Sequence, residues 1–231
     1  MDADVLDREL YSVREAARLL RLPPSKLRRW LDGAKVSGQP YPPVIREAPT
    51  GSDVVTWAEF VEAGFLAEYR SRRVSLQHMR PMIDAMRRDF HVPYPLARFE
   101  PAIDKPSRQL VLDAQDAVDL PDQLWLVRRV GKRNGYWQTQ WADPMRQFLD
   151  KVHYNTQAVA DRLYPLGKSR RVVIDPAMVF GIPQVKGVRT ETIAEALAES
   201  GDEQAIADTW GLELQDVKAA IQWEVVSARA A

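Results

Sequence analysis

Two adjacent prolines, Pro23 and Pro24, constrain this chain more than any other pair of residues. Proline lacks an amide hydrogen and has a fixed φ, so a helix accepts it in the first turn and breaks at it elsewhere. On both sides of the pair the apolar residues recur at helical spacing. Upstream, Val13, Ala16, Ala17 and Leu20 fall at i, i+3, i+4 and i+7 and share one face. Ser12 stands where an N-cap belongs, and Glu15 follows at the capping-box spacing. Downstream, a helix opening at Ser25 places Leu27, Trp30 and Leu31 on one side and Lys26, Arg28 and Arg29 on the other. Residues 11–30 therefore predict two short helices joined by a tight turn, the second cationic on its outer face. That is the layout of a helix-turn-helix that reads DNA. A pair that only packs stays open as the alternative, because outward charges are ordinarily just solvated.

Local charge favours the first reading. Between Arg14 and Lys35 the cations are Arg14, Arg18, Arg21, Lys26, Arg28, Arg29 and Lys35, against Glu15 and Asp32 alone. A phosphate backbone selects for such an excess. The whole chain is neutral, with 32 basic and 32 acidic residues, so the imbalance is one of layout. Glu191, Glu195, Glu199, Asp202, Glu203, Asp208, Glu213, Asp216 and Glu224 face a single Lys218 in the last part of the sequence. A basic front and an acidic rear point to different partners at the two ends.

Other classes are disfavoured by what the sequence lacks. With 231 residues and 45% hydrophobic content, the chain can build a packed core. It has no cysteine, hence no disulfide and no thiolate site. No apolar run approaches the roughly 20 residues of a membrane helix, and the acidic start MDADVLDREL is no signal peptide, so no membrane partner and a cytoplasmic location are expected. His78, His91 and His153 lie in unrelated contexts, residues 131–135 lack the ending of a phosphate loop, and no serine sits in a nucleophile elbow. Neither catalysis nor a cofactor is expected. Asp113, Asp116, Asp119 and Asp122 recur every third residue, but without the glycine and final glutamate of a calcium loop, so a solvated loop and no metal are expected.

Beyond the helix pair, residues 33–52 are rich in glycine and proline and predict a hairpin or wing, with Val44-Ile45 as a short strand and Lys35 and Arg46 flanking it. A helix follows from Thr56, with Trp57, Phe60, Val61 and Gly64 on one face, and breaks at residues 70–73. A second helix is capped by Ser75, buries Met79, Met82, Ile83 and Met86, and turns Arg80, Arg87 and Arg88 outward. Residues 11–90 resemble the winged helix-turn-helix of MerR-type regulators. The marks are Tyr11-Ser12-Val13, Glu15-Ala16-Ala17, Leu27-Arg28-Arg29-Trp30, the wing, and Val74-Ser75-Leu76 leading into the next helix. The wing is longer and richer in proline than that family's, no long dimerising coiled coil is evident, and the absent cysteines exclude its metal-sensing branch.

Residues 109–112 and 124–127 read as strands, and residues 148–154 and 158–164 as the arms of a hairpin around Asn155-Thr156-Gln157. Val172-Val173-Ile174 reads as a strand before two tight turns. Three helices follow: Thr190 to Glu199, stopped by Ser200-Gly201; Glu203 to Trp210, stopped by Gly211; and Leu212 to Trp223. Asp175-Pro176, Gly181-Ile182-Pro183 and Gly187-Val188-Arg189-Thr190, in that order and spacing, resemble a small bacterial domain family found in antitoxins of VapB type. That resemblance implies a PIN-domain ribonuclease toxin as partner and repression of the chain's own operon. It implies Arg229 as a candidate toxin contact, since such nuclease sites are acidic.

The expected architecture is α+β and mainly helical. A winged helix-turn-helix occupies residues 1–95, a β-rich connector 96–170 and a three-helix module 171–231. The expected DNA contacts are Ser25, Lys26 and Arg29 at base edges, Arg14, Arg18, Arg28 and Lys35 at phosphates, and Arg46 on the wing. Half-site reading implies a homodimer on the operator. The alternatives are a stand-alone regulator and an interaction module without DNA.

Overall fold

The computed structural model describes residues 5–69, 75–98, 105–133 and 136–228. Strand β1 (Glu9–Ser12) leads into α1 (Val13–Leu20) and then α2 (Pro24–Asp32). The wing is a hairpin of β2 (Ala34–Val36) and β3 (Gln39–Tyr41), after which β4 (Val54–Thr56) returns antiparallel to β1, with Tyr11 opposite Val55. This pairing sets two helix entrances side by side. Ser12 caps α1 in a capping box with Glu15, and Thr56 caps α3 (Trp57–Glu68) in a second one with Glu59. The main chain ties them further: Val13 N–H donates to the Asp53 carbonyl at 2.8 Å, and Trp57 N–H to that of Arg8 at 2.9 Å.

Helix α3 is the centre of the molecule. The sequence assigned it one apolar face, yet every residue from Trp57 to Leu66 is buried. An all-round apolar helix belongs inside a protein. Its surroundings come from distant segments: α1 and α2 on one side, and α6 (Asp143–Lys151) on another. The Trp57 indole N–H donates to the Ala160 carbonyl at 2.7 Å, and Phe65 meets the edge of Phe148 at 5.4 Å.

Helix α4 (Met79–Phe90) is preceded by a single turn of tighter helix, which Ser75 caps. Pro81 falls in the first turn of α4, where its missing N–H costs nothing. Arg87 points inward, against expectation. It is buried, and donates to the Asp84 carboxylate at 2.7 Å, to the Pro93 carbonyl at 2.8 Å and to the Ile45 carbonyl.

Residues 109–112 are helical. They lie in α5 (Lys105–Ala117), whose Val111, Leu112, Ala114 and Gln115 are buried. A four-residue apolar run fits strand and helix alike, and here the buried positions continue at helical spacing. The Gln115 side chain bonds both main-chain groups of Val127, which fixes the start of β5 (Val127–Arg133). The strand expected at 124–127 thus begins only at its last residue. The four spaced aspartates do not share a loop: Asp113 and Asp116 are on α5, Asp119 is in a turn and Asp122 opens a short 3-10 helix. Strand β5 pairs with β6 (Tyr136–Trp141).

The hairpin around Asn155 is present as β7 (Val152–Tyr154) and β8 (Ala160–Leu163), with residues 148–151 belonging to α6. Asn155 Oδ1 accepts the amides of Gln157 and Val159 and shapes the turn. Residues 172–174 make isolated bridges rather than a strand, Val173 to Gln184 and Ile174 to Leu163. A small hairpin of β9 (Gln184–Val185) and β10 (Val188–Arg189) leads to α7 (Thr190–Ser200), α8 (Glu203–Trp210) and α9 (Leu214–Ala228). Gly201 and Gly211 end α7 and α8 in the left-handed conformation.

One buried cluster runs through all three expected segments. The C-terminal part is latched to the N-terminal part by polar bonds as well. Tyr11 Oη donates to the Gly181 carbonyl at 2.6 Å, and an Arg8 N–H to that of Pro176 at 3.0 Å. Burial raises the Tyr11 phenol well above its ordinary pKa, with Glu15 adding to the effect, so it stays a donor. Gly181 is also required sterically: it has φ +71°, and a Cβ there would collide with the Tyr11 hydroxyl.

Candidate nucleic-acid interface

The helix pair forms as the proline break predicts. The α1 face of Val13, Ala16, Ala17 and Leu20 is buried, and so are Leu27, Trp30 and Leu31 of α2. Trp30 and Trp57 are core residues, as expected from their positions. Helix α1 ends at Arg21, with φ 57° and ψ 46°. That left-handed conformation costs a non-glycine residue on the order of 1 kcal/mol. Leu22 N–H then closes the turn on the Ala17 carbonyl at 2.8 Å. Helix α2 starts at Pro24, one residue before the expected Ser25. Its N-cap is Pro23, which provides no side-chain cap; Pro24 has no amide hydrogen, and the Lys26 and Leu27 amides turn back to the Pro23 carbonyl at 2.9 and 3.2 Å.

On the outer side, Arg14 and Arg18 of α1, Ser25, Arg28 and Arg29 of α2, and Lys35 of the wing are exposed. Arg28 is paired with Asp53, an ion pair with side chains 49% and 62% exposed. Such a pair is held weakly, by about 0–1 kcal/mol, and can be exchanged for a phosphate. Lys26 is only half exposed and lies 5.6 Å from the Trp30 ring centroid, so its ammonium leans over its own helix. Among the expected base readers, Ser25 and Arg29 extend into solvent.

Arg46 is the correction. It is 5% exposed and cannot lie along a duplex from the wing. Its guanidinium grips Glu59 through Nε at 2.7 Å and Nη2 at 3.1 Å, and Asp32 through Nη1 at 2.8 Å. It also donates to Thr50 Oγ1 and the Val54 carbonyl. The sequence signal lies in Val44 and Ile45, which form a bend and not the expected wing strand. Both are fully buried and donate to the Trp30 carbonyl, and they carry the next side chain inward. Asp32 completes the clamp. Burial alone would raise its pKa, but the Thr50 and Gly51 amides and Arg46 outweigh that and hold the carboxyl below its ordinary range. The clamp joins the end of α2, the wing and α3, and so fixes the angle at which α2 is presented.

Arg80 acts in the same layer, donating to the Pro43 and Glu47 carbonyls. Arg229 and the expected break at residues 70–73 lie outside the described residues. Among the described residues there is no group of three or more His, Cys, Asp or Glu side chains placed to hold a metal, and no helix long and apolar enough to cross a membrane.

A capped first helix, a second helix launched by proline, an exposed cationic side and a wing define a helix-turn-helix domain of the DNA-binding class. Residues 9–83 match the family described as "Putative DNA-binding HTH domain". The chain belongs to the family of the uncharacterized protein Rv2308 of Mycobacterium tuberculosis, to which it is 31% identical over 224 residues, covering 95% of this chain and 91% of that protein. It is also similar to a protein of the same organism named "Putative antitoxin VapB45", at 26% identity over 218 residues, 89% of this chain and 90% of the other. The crystal structure of Rv2018 from M. tuberculosis superposes with a TM-score of 0.72 at 25% identity, covering 94% of this chain and 99% of that one. The correspondence extends well past the helix-turn-helix, whereas the MerR resemblance is limited to residues 11–90.

Proposed function

We propose that this chain is a non-catalytic antitoxin that represses its own operon and neutralises a PIN-domain ribonuclease toxin. In this reading a homodimer sets one α2 in each of two adjacent major grooves. Ser25 and Arg29 face base edges, and Arg14, Arg18, Arg28 and Lys35 hold the flanking backbone. The observation that carries the DNA half is the exposed arginine face spanning α1 and α2, formed by Arg14, Arg18, Arg28 and Arg29 on a helix-turn-helix. The toxin half is supported by end-to-end similarity to a protein named as an antitoxin.

Titration of labelled upstream DNA at a series of salt concentrations tests the first half. The expected slope of log affinity against log salt is about −0.9 for each phosphate neutralised. Absence of binding at low salt would remove the repressor role. Co-expression with the neighbouring gene tests the second half: the neighbour should co-purify and lose ribonuclease activity in the complex. A neighbour that is no nuclease refutes the antitoxin role and leaves DNA binding intact.

A further inference from the structure

Between Asp122 and Asp143 the chain has no acidic residue. Strands β5 and β6 lie in this span and hold Arg128, Arg129, Lys132 and Arg133 together with Tyr136, Trp137 and Trp141. In a chain of zero net charge that is a local excess of cations. The strand pairing sorts these residues onto two faces. One face is packed: Val127, opposite Trp141, is buried, and Arg129, opposite Thr139, pairs with Asp116 of α5. The other face is open. Arg128 and its cross-strand partner Gln140 are exposed, and so is Gln138. Gly131 stands opposite Gln138, and a Cβ there would find no atom within 4 Å. By register Arg133 and Tyr136 continue this face. The register shifts at Val130, which is 55% exposed, and a bulge of this kind adds right-handed twist to a two-stranded ribbon.

Charges that merely guard a sheet edge can be of either sign. Here the open face combines two arginines, two glutamines and a tyrosine with no carboxylate. An acidic protein site would match the arginines alone. Glutamine beside arginine matches the mixed donors and acceptors of base edges, and both also bind phosphate oxygens. The shape agrees with the chemistry. Two strands about 4.8 Å apart enter a major groove about 12 Å wide. The six residues of β6 cover about 20 Å, the rise of roughly six base pairs. We propose that the open face of the β5–β6 ribbon is a second DNA-reading surface, set in a stretch of groove that α2 does not occupy. The choice of DNA as partner rests on the DNA-binding reading above, but the element that makes the contact is a different one.

The test is anisotropy titration and hydroxyl-radical footprinting of the full chain on its own upstream DNA. Arg128→Ala combined with Gln138→Ala and Gln140→Ala changes three exposed side chains and should keep the thermal transition. It should weaken binding at least about tenfold and remove protection from roughly six base pairs. Arg128→Ala alone should lower the salt slope by about one, and Arg128→Lys should restore it. Gln140→Glu places a carboxylate against the phosphates and should weaken binding about as much as the triple variant. Arg18→Ala with Arg29→Ala should lose a different tract of the footprint. Affinity and footprint unchanged in both the triple variant and Gln140→Glu overturn the ribbon, and loss in the Arg18 and Arg29 variant then leaves the helix reading standing. A helix variant that binds like the unaltered chain, beside a ribbon variant that loses its tract, overturns α2 as the reader and supports the ribbon. Loss of the neighbouring gene product from the triple variant with its DNA footprint intact assigns the face to a protein and overturns the proposal. No DNA binding by the unaltered chain at low salt overturns both.

Discussion

The α1–α2 pair and the layer formed by the wing and α4 are both rich in arginine, and they place it differently. Arg14, Arg18, Arg28 and Arg29 stand in solvent, with Arg28 paired to Asp53, which is also exposed. Arg46 and Arg87 are buried, and with the half-buried Arg80 they bond carboxylates and carbonyls of the chain itself. Charge in the first region is available to a partner, whereas charge in the second holds the fold. Residue type alone does not separate these uses. The neighbours do, and the second set lies beside carbonyls freed by a proline-rich loop that cannot pair them in a sheet.

The sharpest way to break the comparison is Arg46→Ala. It strands the Asp32 and Glu59 carboxylates in a buried site and should cost about 3–5 kcal/mol in urea unfolding. Unaltered stability together with lost DNA affinity would return Arg46 to the readers.

Glu62 comes next. It is fully buried on α3, accepts the Leu96 amide at 3.0 Å through Oε1, and its Oε2 has no hydrogen-bond partner. Burial pushes its pKa up to about 7 from 4.5. Between those values the folded chain holds a proton that the unfolded chain releases, so stability should fall as pH rises from about 4.5 to 7, by a few kcal/mol in all. Glu62→Gln should flatten that slope in thermal melts; a slope unchanged in the variant would show that the proton is held elsewhere.

Arg18→Ala and Arg29→Ala should do the reverse of Arg46→Ala. Stability should stay within about 0.5 kcal/mol. Operator affinity should fall, by roughly 1–3 kcal/mol for Arg29 if it reads a base and with a salt slope smaller by about one for Arg18. Smallest is Arg28→Ala, which releases Asp53 and should move stability by no more than about 1 kcal/mol. A larger loss would mean that the exposed set also carries structure.

Much of this division was legible in the sequence. Helices α1 and α2, the capping box of α1 and the turn followed from Ser12, Glu15, Pro23 and Pro24, because capping and proline rules are local. The stops of α7 and α8 at Gly201 and Gly211 were legible for the same reason. What escaped was set by contacts distant in sequence. Arg46 and Arg87 turn inward because Glu59, Ile45 and Pro93 wait there. Residues 109–112 are helical because Gln115 is needed to hold Val127. The acidic rear was also overstated: Asp216 is buried, with Arg171 at 2.5 Å and Lys186 at 2.8 Å, so some of that charge is internal.

The bond from Tyr11 to the Gly181 carbonyl and the stacking of Arg21 on Trp223 bear on order of synthesis. The first helices to leave the ribosome find these partners only after some 170 to 200 further residues have been made. Translation that halts before the last helix yields a reader without its brace, so operator occupancy would follow completed chains rather than initiated ones.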